Sequence, residues 1–529
     1  MRPDLEFGTV GRMVRAARIR FGDLEAVVDD AQRWTFAHLA DRIDEAAGAA
    51  VSAGIERGDS VAIWAPNSRE WIVSALGCVS IGASLVPVNT RFRGAEAAEI
   101  IDRSGARLLF TVTGFLGNDY VAELRGAGRE LDRLERIVVM NGHAPSGTST
   151  WSDFLAESSS VSTRLLDERM ESVEPDDVSD VLFTSGTTGR PKGVMTTHAQ
   201  NLRVFQAWAD TVGLERGDRY LMVNPYFHSF GYKAGILACM LQGATMFPEP
   251  VFDVERVFER IESESITVLP GAPTIHLSML DHPDRDVHRL SSLRLAVTGA
   301  ANIPVELIRR MRSEMSYDTV VSAYGLTEAT GTVSICRPDD DAETIATTSG
   351  RAIPDTEVSV VDEAGREVPR GEPGEVVCRG YHVMIGYLDD PEATAQAIDE
   401  NGWLHTGDIG TMDDRGYLSI TDRKKDMFIV GGFNVYPAEV ENGLLAHPDI
   451  ANAAVVGVPD RRLGEVGNAY VVPRAGALLE ATELTEWCRT RMANFKVPRA
   501  FHVVESLPTN ASGKVLKYEL RAVASGASG

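Results

Sequence analysis

The chain has 529 residues, 44% of them hydrophobic, with a formal net charge of −24 and a pI near 4.9. That length exceeds one ordinary domain and supplies cores for at least two. The acidity speaks against nucleic acid or anionic membrane as partners, so anionic substrates must be drawn in by local basic clusters. Cys78, Cys239, Cys336, Cys378 and Cys488 show no C-x-x-C spacing. This fits a reducing compartment, the cytoplasm, without disulfides or structural zinc. No export signal and no apolar run long enough to span a bilayer is visible, so no integral membrane contact is expected.

From Val61 to about Gly325, β-like runs alternate with helical ones, which predicts α/β layers with largely parallel sheets. Val61-Ala62-Ile63-Trp64 is followed by an amphipathic stretch from Ser68 and then by Leu85-Val86-Pro87-Val88. Leu108-Leu109-Phe110, Ile137-Val138-Val139, Ile266-Thr267-Val268-Leu269 and Leu295-Ala296-Val297 continue the β pattern, while 144–150 and 158–160 read as surface loops.

Val181-Leu182-Phe183 runs into Thr184-Ser185-Gly186-Thr187-Thr188-Gly189-Arg190-Pro191-Lys192-Gly193. A rigid strand edge, glycines that let backbone N–H groups turn inward, four hydroxyls and the Lys192 ammonium together suit a polyphosphate. A flexible linker of similar composition would not carry the stiff Pro191 and charged Lys192. A P-loop would need Gly-Lys followed by Ser or Thr, whereas Lys192 stands between Pro191 and Gly193.

Further along come Tyr226-Phe227-His228-Ser229, Gly299-Ala300-Ala301 and Tyr324-Gly325-Leu326-Thr327-Glu328. From about Pro354 to Thr421 short strands, Glu357 to Val361, Glu375 to Cys378 and Tyr417 to Ile420, suggest a small β subdomain containing Trp403-Leu404-His405-Thr406-Gly407-Asp408. A charged patch, Arg423-Lys424-Lys425-Asp426, leads to Gly431-Gly432-Phe433 and a helix opened by Pro437. Pro508-Thr509-Asn510-Ala511-Ser512-Gly513-Lys514 closes a compact α+β unit. The expected division is 1–422, with the β subdomain at about 354–421, and 423–529. Lysine occurs only seven times, at 192, 233, 424, 425, 496, 514 and 517, so each retained lysine suggests that a compact point charge was wanted.

Together these strings resemble the AMP-forming acyl-activating superfamily over nearly the whole chain. The resemblance implies a large N-terminal domain of layered α/β subdomains with a small β subdomain, and a mobile C-terminal α+β lid. It implies an enzyme that joins a carboxylic acid to ATP as an acyl-adenylate and passes the acyl group to CoA, with Mg²⁺ as cofactor. By position, Thr184, Ser185, Gly186, Thr187, Thr188, Gly189 and Lys192 would hold the phosphates. Gly299, Ala300, Ala301, Tyr324, Gly325, Asp408 and Arg423 would hold adenine and ribose. Thr327 would touch phosphate, Glu328 the metal, and Lys514 would bridge the carboxylate and the α-phosphate.

Lys425 occupies the hinge position, and Gly431, Gly432 and Phe433 match the loop along the CoA tunnel. The acyl pocket would draw on Tyr226, His228, Gly299 and Gly325. His228 either acts on the carboxylate or is a satisfied core histidine. The segments 224–239, 298–301, 324–331, 433–440 and Gly114-Phe115-Leu116-Gly117 further resemble actinobacterial ligases of steroid catabolism, which implies a hydrindane-dione propanoate as the acid. The alternatives are a medium- or long-chain fatty-acyl-CoA synthetase, a ligase that loads a carrier protein, and an inactive nucleotide-binding regulator. A homodimer is compatible with the resemblance.

Overall fold

A computed structural model describes residues 2–184, 191–285, 289–299, 303–423, 426–430, 433–435, 437–460, 463–489, 492, 494–509 and 515–524. Ser185, Gly186, Thr187, Thr188, Gly189, Ala300, Ala301, Lys425, Gly431, Gly432 and Lys514 lie outside the described residues, as do the side chains of Arg423 and Phe433.

The alternation read from the sequence builds a nine-stranded sheet. Ser84–Pro87, Ser60–Trp64, Leu108–Phe115 and Arg136–Asn141 run parallel, and their near-continuous apolar sequence is buried on both faces. Helix Arg69–Ser80 begins at Ser68, whose hydroxyl accepts from Trp71 N at 3.2 Å. Antiparallel pairing enters at one edge. Val178–Thr184 joins Ser84–Pro87 in parallel, then pairs antiparallel with Lys192–Thr197, which in turn pairs antiparallel with Gly386–Tyr387 at the edge.

A second layer carries Leu295–Gly299 beside Thr319–Tyr324 in parallel, with Gly299 opposite Ala323. The run 266–269 is not a strand. It still lies extended between two strands: Val268 bridges Tyr220 and Leu295, Leu221 N donates to Val268 O at 2.9 Å, and Leu269 N donates to Leu295 O at 3.1 Å. The loop expected at 144–150 ends in the short strand Ser149–Thr150, and Glu157–Ser160 is a 3₁₀ turn.

The small β unit is an antiparallel sheet of Glu357–Val361, Gly374–Arg379, Leu404–Met412 and Leu418–Arg423. A smaller C-terminal domain comes next. Its sheet holds Phe428–Val430, Phe433–Val435, Ile450–Asp460, Gly464–Pro473 and Ala500–Val503, with helices Pro437–Leu445 and Ala481–Arg489. Phe428, Leu444, Val455, Leu484 and Val497 form a core separate from the one that runs from Phe7 to Ile353. Among the described residues no helix is long and apolar enough to cross a membrane.

Candidate active site

The hairpin of Val178–Thr184 and Lys192–Thr197 is the scaffold. Its register sets Thr184 opposite Lys192, so the two side chains leave the same face of the hairpin at its loop end. Arg103 braces both flanks: its guanidinium lies 5.7 Å from the centre of the Phe183 ring and donates to the Pro191 carbonyl. Sequence reasoning passed over Arg103, since nothing in a helix-terminal arginine signals a partner 88 residues away.

Glu328 reaches this hairpin from the turn Thr327–Ala329. Its Oε1 accepts from Tyr387 OH at 3.0 Å and faces Thr184 Oγ1 at 3.5 Å, and the Lys192 ammonium lies 4.9 Å from the centre of the Tyr387 ring. Two backbone bonds explain why Tyr387 is there. Leu388 N donates to Gly193 O at 2.7 Å, and Met384 N donates to Glu328 O at 2.8 Å, so the edge segment is tied to both hairpin and turn. Tyr387 was missed from the sequence. Burial and the neighbouring Glu328 carboxylate push its phenol well above the ordinary tyrosine value, so it donates rather than ionises.

Tyr324, at the end of its strand, donates from OH to Asp408 Oδ2 at 2.6 Å. Burial, and then the Asp408 charge, raise the Tyr324 pKa. Asp408 is 4% exposed and sits opposite Arg423 across the antiparallel pair of the β unit. The predicted adenine and ribose residues therefore meet: Tyr324, Asp408 and the Arg423 backbone share one rim, with Gly299 one strand away beside Ala323.

The turn after Tyr324 is shaped by two glycines. A Cβ on Gly325 would stand 2.1 Å from Gly331 O, so no other residue fits. Gly331 itself has φ +97°, and a Cβ there would be 3.0 Å from the Ser229 side chain. This close crossing brings the adenylate motif against the His228 turn.

His228 is solvent-accessible although protein surrounds it, and desolvation holds its pKa below the ordinary imidazole value. Its Nδ1 accepts from Phe230 N at 3.2 Å. The neutral ring therefore carries its proton on Nε2, a donor free to meet a carboxylate.

Tyr226 has no exposure. It packs 5.2 Å from the Trp71 ring with its hydroxyl on Met222 Sδ, and so forms core behind the His228 turn. Asn67, also unforeseen, fixes that turn by donating to Met222 O and Asn224 O and accepting from Tyr226 N. A separate open cavity on the β unit, lined by Arg337, Arg351, Glu357, Trp403 and Leu418, includes none of the predicted site residues.

The AMP-binding enzyme family model matches residues 14–388, and the AMP-binding enzyme C-terminal domain matches 439–514. The chain belongs to the AMP-binding enzyme family. It is an ATP-dependent acyl-CoA ligase, an acid–thiol ligase that works through an acyl-adenylate, with ATP and CoA as co-substrates.

A 3-[(3aS,4S,7aS)-7a-methyl-1,5-dioxo-octahydro-1H-inden-4-yl]propanoyl:CoA ligase from Rhodococcus jostii (strain RHA1) is 52% identical over 97% of this chain and 98% of its own length. The Mycobacterium tuberculosis protein of the same name is 50% identical over 94% and 96%. Among solved structures, the anthranilate CoA ligase AuaEII in complex with anthranoyl-AMP matches with a TM-score of 0.88 at 28% identity, covering 98% of each chain. ATP-bound MatB from Rhodopseudomonas palustris matches with a TM-score of 0.83 at 27% identity, covering 97% of this chain and 99% of its own.

Proposed function

We propose that the acid is a compact bicyclic propanoate, the methylated hydrindane-dione propanoate for which the Rhodococcus and Mycobacterium relatives are named. The observation that carries this is identity of 52% and 50% over nearly the whole of both relatives. The accessible His228 supports it, since its Nε2 proton can orient a carboxylate. A rigid acid loses little conformational entropy on binding, whereas a long chain must freeze many torsions and needs a tunnel.

In this reading Thr184, Lys192, Thr327 and the loop 185–189 take the phosphates. Gly299, Tyr324, Gly325, Asp408 and Arg423 take adenosine, with Ala300 and Ala301 beside them. Glu328 is the metal-binding carboxylate: an all-oxygen surrounding of one carboxylate and the Thr184 and Tyr387 hydroxyls fits a hard divalent cation. Mg²⁺ bound there would neutralise charge on the phosphates. Lys514 stabilises charge on the α-phosphate during adenylation. The C-terminal unit then turns about Lys425, near the boundary at 422–423, and Gly431, Gly432 and Phe433 line the path of the thiol.

The test is kcat/KM for the hydrindane-dione propanoate against octanoate and palmitate at saturating ATP and CoA, since specificity is the ratio of these values. The bicyclic acid is expected to lead by roughly tenfold or more, the scale set by a few methylene-sized contacts. Linear acids preferred by that margin would sink the assignment and leave a fatty-acyl-CoA ligase.

A further inference from the structure

Lys233 and Asp180 form an ion pair that none of the roles above uses. Neither side chain has any exposure, and Nζ lies 2.8 Å from Asp180 Oδ1. Nζ also donates to Thr196 Oγ1 at 2.8 Å, and Thr196 in turn donates to Asp180 Oδ1 at 2.8 Å. Ser179 Oγ donates to Oδ2 at 3.0 Å, and Asn201 Nδ2 donates both to Oδ2 and, at 2.6 Å, to Ser179 Oγ. Burial works to lower the Lys233 pKa and Asp180 works against it, with the net direction downward. Withdrawing two charges from water is costly, and an apolar pair of similar volume is often as stable or more so. Stability alone is therefore a weak reason for this network, and geometry offers a better one.

On the hairpin, Asp180 stands opposite Thr196, Leu182 opposite Val194, and Thr184 opposite Lys192. Side chains alternate along a strand, so Asp180 and Thr196 share the face that carries Thr184 and Lys192. The network sits four residues below the open end, about 13 Å at the usual rise per residue. At its other end, Lys233 lies in the π-helical turn Tyr232–Leu237, directly after the His228 turn. An inserted π turn rotates the chain beyond it, and such turns recur at functional sites. A hydrogen-bonded charge pair is directional where apolar packing is not, so it admits one seating of this turn on the hairpin.

We propose that Lys233 is a positioning residue: through Asp180 it sets the His228 turn, where the acid binds, against the Thr184–Lys192 hairpin, where the phosphates bind, so that carboxylate and α-phosphate meet at reacting distance. The inference rests on the proposed roles of those two segments. Misplacement of reacting groups by an ångström can cost about 100-fold in rate, so a small slippage should be visible.

The experiment compares wild type, Lys233→Met and the double variant Asp180→Leu/Lys233→Met. Thermal unfolding, single-turnover pyrophosphate release with KM for acid and ATP read separately, and thioester formation from synthetic acyl-AMP are measured. The acid is whichever one wild type turns over best. The double variant is expected to melt within a few degrees of wild type and to lose roughly tenfold or more in adenylation kcat, with thioester formation nearly unchanged. A folded double variant that adenylates at the wild-type rate overturns the inference. Should it fail to fold, Thr196→Val decides: adenylation slowed by about threefold or more at unchanged melting supports positioning, and an unchanged rate overturns it. A wild type inert toward every acid overturns the reading of the site and this inference with it, whereas equal adenylation by wild type and double variant overturns this inference alone.

Discussion

Two polar clusters lie on one face of the hairpin 178–197 and are built in opposite ways. The deep one, around Asp180 and Lys233, has no exposure, and its donors and acceptors meet at 2.8 Å. The one at the open end is half-buried and loosely knit: Glu328 Oε1 lies 3.0 Å from Tyr387 and 3.5 Å from Thr184, and Oε2 has no partner among the described residues. Lys192 rests on an aromatic face, with no carboxylate partner among the described residues. Apart from Asn201 Oδ1, which has no partner among the described residues, the deep cluster turns its donors and acceptors on one another, which fixes geometry. The outer cluster keeps lone pairs and protons in reserve, which is what a ligand needs. On the proposed roles, burial and bond saturation, more than residue type, separate the groups that position from the groups that bind.

The sharpest way to break this division is Glu328→Gln, which keeps shape and removes a charge. If Glu328 binds rather than supports, adenylation kcat/KM should fall by at least the ~10–100-fold that losing even a supporting partner costs at a metal site, with a higher Mg²⁺ requirement. Melting should be unchanged within a degree or two, because a half-exposed carboxylate leaves no buried donor stranded. A fall of several degrees would place Glu328 with the deep cluster instead.

The dry interior makes a second contrast through pH. His276 is wholly buried, both ring nitrogens lack partners, and burial pushes its pKa down to about 3. Burial pushes His198 and His382 down to about 4. The ordinary imidazole value is 6.5, so as pH falls the unfolded chain binds protons before the folded protein does. The stability these rings contribute is therefore full above the unfolded value and is lost as pH drops toward the folded one. His276→Leu should lessen the loss of unfolding free energy between pH 6 and 4.5 by about 1.4 kcal/mol per pH unit, the contribution of one such group. Urea titrations at several pH values measure it. An identical slope in the variant would mean that His276 is already protonated or bonded in the fold.

Legibility in the sequence divides along the same line. The motifs proposed to bind are contiguous strings, so Thr184, Lys192, Tyr324, Glu328 and Asp408 could be picked out as candidates one by one, and their glycines marked where backbone comes close. Strands with unbroken apolar runs were equally plain. Leu404–Met412 was read as a motif rather than a strand, because Thr406, Gly407 and Asp408 interrupt its apolar pattern. Residues 266–269 carried the β pattern and do bond to strands on both sides, although the run is too short to count as a strand of its own. Arg103, Asn67, Tyr387 and the Asp180–Lys233 pair were hidden for one reason. Each acts on a partner that packing alone brings near, and no local spacing encodes a contact between residues 53 or 59 apart. The scarcity of lysine singled out Lys233 without revealing what it holds.

The smallest effect should come from the boundary between the two kinds of cluster, where Tyr324 is half-buried and Asp408 almost wholly so. The phenol donates to Asp408 at 2.6 Å, a distance typical of a hydrogen bond to a charged acceptor. Tyr324→Phe keeps the aromatic face that would stack on a purine and removes only this bond. The substitution leaves the backbone pairing of the Asp408 strand with 418–423 untouched, so the fold should hold. The cost should be that of one modest hydrogen bond, about 1 kcal/mol, read as a rise of roughly fivefold in KM for ATP with kcat nearly constant. If Tyr324 instead belonged to the positioning class, kcat would fall with KM unchanged, and the boundary between the two clusters would move outward to include the adenosine rim.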